Sequence, residues 1–217
     1  IHPQRIVAIW LRSGTAFGYW QKGEIEKPRI TPAVLRVPVM CNPGIKENEG
    51  RFINAWEGTL AMFKYYRARG APIGFSPDPL TAHECGDSRY LAIPYFDACL
   101  AMRLPRNRAS DQSLRPVDWY HHYLAPLLGT KAEPQVRFKG PRGISVWLPS
   151  REVARAWEEY VQKGATSDST PPLPPMDLTA SHQADGTIEL LWNCQADLES
   201  GLQRFLILAD GEQLASH

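Results

Sequence analysis

The sequence has no uninterrupted apolar stretch near the ~20 residues that a bilayer-crossing helix needs, so no membrane span is expected. It has almost no net charge. Its 24 basic and 23 acidic residues leave +1, with no long basic run, which argues against a nucleic acid or a membrane surface as partner. It has only four cysteines, Cys41, Cys85, Cys99 and Cys194, and none forms a Cys-x-x-Cys pair, so structural zinc is not expected. Such wide spacing suits free, buried thiols, although Cys41 and Cys85 both fall near strand ends and a bridge between them stays open. The chain starts at Ile1 without an initiator methionine or a signal peptide, so the lack of a targeting signal says nothing about location. What is present is ordinary for a folded protein. Hydrophobic residues at 43% and charged residues at 22% exclude wholesale disorder, and 217 residues suit one large domain or one and a half.

Three apolar runs punctuate the first half. Ile6-Val7-Ala8-Ile9-Trp10-Leu11 is continuous and rich in β-branched residues, as in a strand buried on both faces of a parallel sheet. Val34 to Cys41 is the second, and Pro38 places the start of its pairing near Val39. Ala71 to Phe75 is the third. A crossover fills residues 16–34. A helix is expected from Arg51 to Arg69, with Phe52, Trp56, Leu60 and Phe63 on one stripe and Gly70 just past its end. Another is expected from Arg89 to Met102, with Asp87 as its cap and a kink or restart at Pro94. Strand, helix, strand, helix, strand, helix is the pattern of a parallel α/β sheet.

Beyond Met102 the pattern weakens. Pro105 to Arg115 reads as polar loop, Trp119 to Leu128 as a short aromatic helix or turn, and Ile144 to Leu148 as a strand. Ser150 caps a helix running to Gln162. Residues 164–175 are rich in Thr, Ser and Pro and read as a semi-rigid linker between a domain of residues 1–163 and a tail of residues 176–217. In the tail the apolar period becomes two, with turns at Asp185-Gly186 and Asp210-Gly211, as at the start of a β-sandwich too short to be complete.

Two loops carry chemistry. Leu80-Thr81-Ala82-His83-Glu84-Cys85-Gly86 leaves the third strand, and Asn42-Pro43-Gly44-Ile45-Lys46-Glu47 leaves the second. Ligands of open α/β sheets bind at such strand ends. A histidine there suits general acid–base work, and a carboxylate on the neighbouring loop can fix its tautomer and stabilise the imidazolium. Glu47 is the first candidate acid, with Glu49 and Asp78 as rivals; an idle surface histidine and a solvated loop carboxylate are the competing readings. A metal reading of His83-Glu84 fails the zinc-protease pattern, since Asp87 stands where a second histidine is needed. His121 and His122 are adjacent and do not share a helix face. Neither metal nor cofactor is expected.

The ordered set from Ile1 to about Met102 resembles the C-terminal half of an α/β-hydrolase. The residues that carry this are His2-Pro3-Gln4-Arg5 before the first strand, Pro38 to Cys41 with Gly44-Ile45-Lys46-Glu47, and the His83 loop followed by a helix. That family uses the chain order nucleophile, acid, histidine. The resemblance implies a partial three-layer α/β-hydrolase sheet in which Glu47 and His83 are the triad acid and base. It also implies a carboxylic ester hydrolase working through an acyl-enzyme on a small-molecule or polymer-linked ester. The departure is that no Gly-x-Ser-x-Gly occurs, and Ser13 in Arg12-Ser13-Gly14 lacks the flanking glycines. The expectation is therefore a hydrolase fragment whose nucleophile and oxyanion donors lie before Ile1. The alternative is a degenerate, non-catalytic binding module. The tail, with Pro171-Pro172, Leu178-Thr179-Ala180 and an inward Trp192, resembles the first strands of a fibronectin type III module. Such modules accompany exported enzymes, which implies a secreted or cell-surface parent.

Overall fold

The computed structural model describes residues 2–106, 113–167, 171–197 and 201–216. Residues 107–112 of the expected polar loop, 168–170 of the expected linker and His217 of the tail lie outside them. The chain divides into two compact units, Ile1–Ser167 and Asp168–His217.

The first unit is built on a parallel sheet. Its strands are β1 (Ile9–Arg12), β2 (Val39–Asn42) and β3 (Ile73–Phe75), in spatial order β1-β2-β3 with Leu11 opposite Cys41 and Cys41 opposite Phe75. These are the order and direction expected of the three apolar runs. Each strand is shorter than its run. Pro3 opens a 3-10 turn over Pro3–Arg5 ahead of β1, and Pro38, which has no N–H to donate, stands just before β2. The Pro38 carbonyl still accepts from the Ile9 N–H at 2.9 Å. Among the described residues β1 pairs only with β2, so its other edge is open. Ile9, Trp10 and Leu11 are accordingly half-buried, whereas Ile73 and Phe75 at the other side are wholly enclosed.

The crossover after β1 holds α1 (Phe17–Lys22), and α2 (Ile53–Arg67) links β2 to β3. The apolar stripe explains α2: Trp56 and Phe63 are buried and Leu60 is half-buried against the core. Gly70 takes φ 78°, the left-handed conformation that a helix end requires and that a side chain would resist.

Helix α3 (Arg89–Arg103) corrects the expected cap. Ser88, not Asp87, occupies the cap position and gives no side-chain bond, while Asp87 is exposed and lies 3.6 Å from Arg89. The helix also runs through Pro94 without restarting. Proline lacks the N–H that would bond the carbonyl four residues back. That carbonyl, of Tyr90, accepts instead from the Thr166 hydroxyl at 3.0 Å.

The segment expected as an aromatic helix or turn over residues 119–128 contains a strand. β4 (Tyr123–Ala125) pairs antiparallel with β5 (Glu133–Pro134) and with β6 (Val146–Leu148), in the order β5-β4-β6. Tertiary pairing decides here, because Leu124, Ala125, Trp147 and Leu148 are all fully buried. α4 (Arg151–Lys163) follows, with the Ser150 hydroxyl accepting from the Val153 N–H at 3.2 Å as expected of a cap. It buries Val153, Trp157 and Tyr160, and the Trp157 indole N–H donates to the Phe75 carbonyl at 2.9 Å, pinning the helix to β3. Residues just past α4 stay attached through the Thr166 bond and through the Ser167 N–H to Glu159 at 2.6 Å, so this unit runs to Ser167 rather than ending at 163.

The second unit consists of two antiparallel hairpins, β7 (Met176–His182) with β8 (Ile188–Asn193), and β9 (Leu206–Ala209) with β10 (Glu212–Ser216). Asp210 and Gly211 both have positive φ, as a tight hairpin turn needs. Trp192 is half-buried and meets Phe205 edge-on at 5.5 Å. Leu178, Leu191, Leu208 and Leu214 remain exposed. The molecule is thus mixed α/β, with a three-stranded parallel sheet and small antiparallel sheets. All four cysteines are free; Cys41 is buried and Cys85 exposed, so the bridge left open by the sequence does not form.

Candidate active site

The loops after β2 and β3 are zipped together past the ends of the strands. The Ile45 N–H donates to the Asp78 carbonyl and the Asp78 N–H to the Pro43 carbonyl, both at 2.8 Å, so parallel pairing continues as a bridge between Gly44 and Asp78. The approach is so close that a Cβ at Gly44 would stand 2.1 Å from the Ala82 carbonyl oxygen and 2.5 Å from that of Thr81. The chain then turns through a 3-10 helix, Ile45–Asn48, which carries Glu47 inward until its side chain has no exposure to solvent.

His83 sits across from it. Its Nδ1 lies 3.3 Å from Oε1 of Glu47, and its ring stacks on Phe52 with centroids 4.4 Å apart and planes 11° from parallel. The imidazole side chain is 38% exposed, so one part faces the acid and another faces solvent. Neither Glu47 oxygen has an aligned hydrogen-bond donor among the described residues. A carboxylate stripped of water and of donors is costly, and a nearby cation or incipient cation is what offsets that cost.

The rival acids stand elsewhere. Glu49 is exposed. Asp78 is buried but occupied: one oxygen accepts from the Leu80 N–H at 3.0 Å, and the other accepts from the Tyr160 hydroxyl at 3.1 Å and faces Arg12 at 3.6 Å. Burial pushes the Tyr160 phenol up, which keeps its proton available for Asp78. So the geometry brings Glu47, and neither rival, to His83.

Arg12, at the end of β1, is a residue the sequence reading passed over. Its guanidinium donates to the Glu84 carbonyl and the Thr81 hydroxyl on the His83 loop, and to both oxygens of Asn42 at the end of β2. The sequence held one signal, a lone arginine closing an otherwise apolar strand, but its partners are far away along the chain. Phe52 was legible only as part of a helical stripe.

Ser13 follows Arg12 in a strained turn with φ 54°, unusual for a residue with a side chain. Its Oγ is enclosed and has no hydrogen-bond partner among the described residues, His83 included. A nucleophile needs a base within reach, so Ser13 does not complete a triad here. The buried thiols are no better suited: burial raises Cys41 far above its ordinary range and pushes Cys99 up to about 12. A second imidazole–carboxylate pair, His121 with Asp118 at 2.7 Å, lies on open surface beside a cleft of about 360 Å³ that neither Glu47 nor His83 lines. Its histidine side chain is 85% exposed and its aspartate 40%, so water reaches the pair. Among the described residues no three His, Cys, Asp or Glu side chains gather as a metal site would require, and no helix is long and apolar enough to cross a membrane.

No protein-family model, curated protein or solved structure matches the chain.

Proposed function

We propose that residues 1–167 supply the acid and the base of a serine-type acyl-transfer triad, Glu47 and His83. The nucleophile and oxyanion donors would come from polypeptide outside these 217 residues. The observation that carries this reading is the wholly buried Glu47 carboxylate 3.3 Å from the Nδ1 of a part-exposed His83, on neighbouring strand-end loops. Glu47 would hold the imidazole with its proton on Nδ1, leaving Nε2 free to take a proton from a serine and return it to the leaving alcohol. The sequence has no Gly-x-Ser-x-Gly, and β1 is an edge strand among the described residues, the side on which a nucleophile strand would pair.

The intact parent is then an α/β-hydrolase-like carboxylic ester hydrolase with the family's layered sheet. It is exported if the tail hairpins belong to a fibronectin-like module. Activity-based labelling tests the assignment. A fluorophosphonate probe should modify one serine of the complete parent protein, on a strand-to-helix turn encoded before Ile1. It should leave the isolated 217-residue chain unlabelled. Stoichiometric labelling of the isolated chain would place the nucleophile within it and overturn the division of labour. Lack of any labelled serine in the parent would favour the second reading, a binding module that keeps the pair without catalysis.

A further inference from the structure

The loop that carries His83 has few backbone bonds of its own. The Lys46 N–H donates to the Thr81 carbonyl at 3.1 Å, while the Ala82 N–H is satisfied within the loop by the Glu84 carboxylate at 2.9 Å. The Lys46 ammonium donates to the Leu80 carbonyl at 2.6 Å, before the histidine, whereas Arg12 reaches the loop on both sides of it. Arg12 donates from Nη2 to the Thr81 hydroxyl at 2.6 Å, and from Nε at 2.7 Å and again from Nη2 to the Glu84 carbonyl. Its Nη1 donates to the backbone and side-chain oxygens of Asn42 at 3.1 and 3.0 Å. A guanidinium has five N–H groups in a rigid fork, and here each has an acceptor. Asn42 ends β2, five residues before Glu47, and its own amide donates to the Ser76 carbonyl at 2.6 Å. One planar group therefore measures the separation between the loop holding the acid and the loop holding the base. Asp78 at 3.6 Å balances its charge.

We propose that Arg12 is a positioning residue for the proposed acid–base pair: its fork sets the height of His83 over Glu47 and so the proton's place on Nδ1. This rests on reading Glu47 and His83 as that pair. Lysine keeps the charge but is a point donor with three N–H groups and no fork, so it cannot reproduce the five bonds to Thr81, Glu84 and Asn42. Arg103 offers a control. It too is a buried arginine bonded to carbonyls, those of Arg115, Val7 and Arg36, but it touches no residue of the His83 loop.

Long-range proton–nitrogen correlation spectra of the full 217-residue chain read the tautomer directly, at about pH 9, above the ordinary histidine range. In the parent chain the His83 ring should be mainly the Nδ1–H tautomer. In Arg12→Lys that predominance should be lost, and the ring should revert to the Nε2–H form favoured by free imidazole. Arg103→Lys should lower the thermal midpoint yet leave the His83 pattern unchanged. Thr81→Val removes a single acceptor and no charge; it should give a partial shift, and it repeats the test if Arg12→Lys does not fold. If the parent chain itself shows the Nε2–H form, the pair fails. If the parent chain shows Nδ1–H and both Arg12→Lys and Thr81→Val keep it, the pair stands and the role of Arg12 is refuted. Equal loss in Arg103→Lys would reduce the effect to general loosening and also refute it.

Discussion

The imidazole of His83 meets the carboxylate of Glu47 at 3.3 Å, and the two differ completely in their access to water: the acid side chain has none, the base is 38% open. That asymmetry would suit the proposed general base: one nitrogen lies beside a carboxylate that water does not reach, while the ring is partly open to solvent. It also has a thermodynamic consequence, because an enclosed carboxylate without aligned donors is paid for by the rest of the fold.

Glu47→Met should therefore stabilise the isolated chain by about 1 kcal/mol. Methionine fills similar volume without a charge. The partner left behind is part-exposed and can be neutral, so no stranded buried cation results. Urea unfolding followed by tryptophan fluorescence measures this. A loss of stability would mean that the carboxylate is a structural tie.

Gly44→Ala should do the opposite. Its Cβ would collide with two backbone carbonyls, of Thr81 and Ala82, and neither can swing away as a side chain would. A destabilisation of roughly 1–3 kcal/mol is expected. A crystal structure of the variant should show the His83 loop lifted from the loop of Glu47; an unmoved loop would contradict the tight zip described here.

His122 should make stability fall on mild acidification. Its pKa is lowered to about 4, first by burial and then by the positive charges of Arg67 and Arg142. The unfolded histidine titrates near 6.5, so between about pH 6.5 and 4 the unfolded state binds more protons. The stability that comes from burying a neutral ring is complete above about 6.5 and drains away as the pH drops toward 4. The total is on the order of 3 kcal/mol. His122→Gln should flatten the thermal midpoint against pH across that window; an unchanged slope would assign it to other groups.

How much of this was legible without coordinates differs from element to element. The parallel core was readable because Ile6–Leu11, Val39–Cys41 and Ala71–Phe75 are apolar without alternation, and Pro38 marked where pairing begins. Glu47 and His83 were readable as strand-end residues, since strand order puts their loops side by side. The strand at Tyr123–Ala125 was not: a three-residue stretch has no measurable period, and its pairing with Val146–Leu148 decides its form. The uninterrupted α3 was hidden because the group that satisfies the Tyr90 carbonyl, Thr166, lies 76 residues away. The Arg12 fork was hidden for the same reason, with partners 30, 69 and 72 residues along the chain. Local pattern reports which face is apolar; it does not report which distant carbonyl a guanidinium will meet.

The central proposal is that Glu47 acts through His83 in a longer hydrolase, and a double-mutant cycle in that proposed parent protein tests it most directly. Initial rates of chromogenic ester hydrolysis would be compared for the parent, Glu47→Gln, His83→Ala and the double variant. Glu47→Gln should lower kcat by roughly 10³–10⁴-fold, as expected when the imidazole is held in the wrong tautomer. The double variant should be no slower than His83→Ala alone, because an orienting acid has nothing left to orient. Multiplicative losses, or a Glu47→Gln variant as fast as the parent, would contradict it.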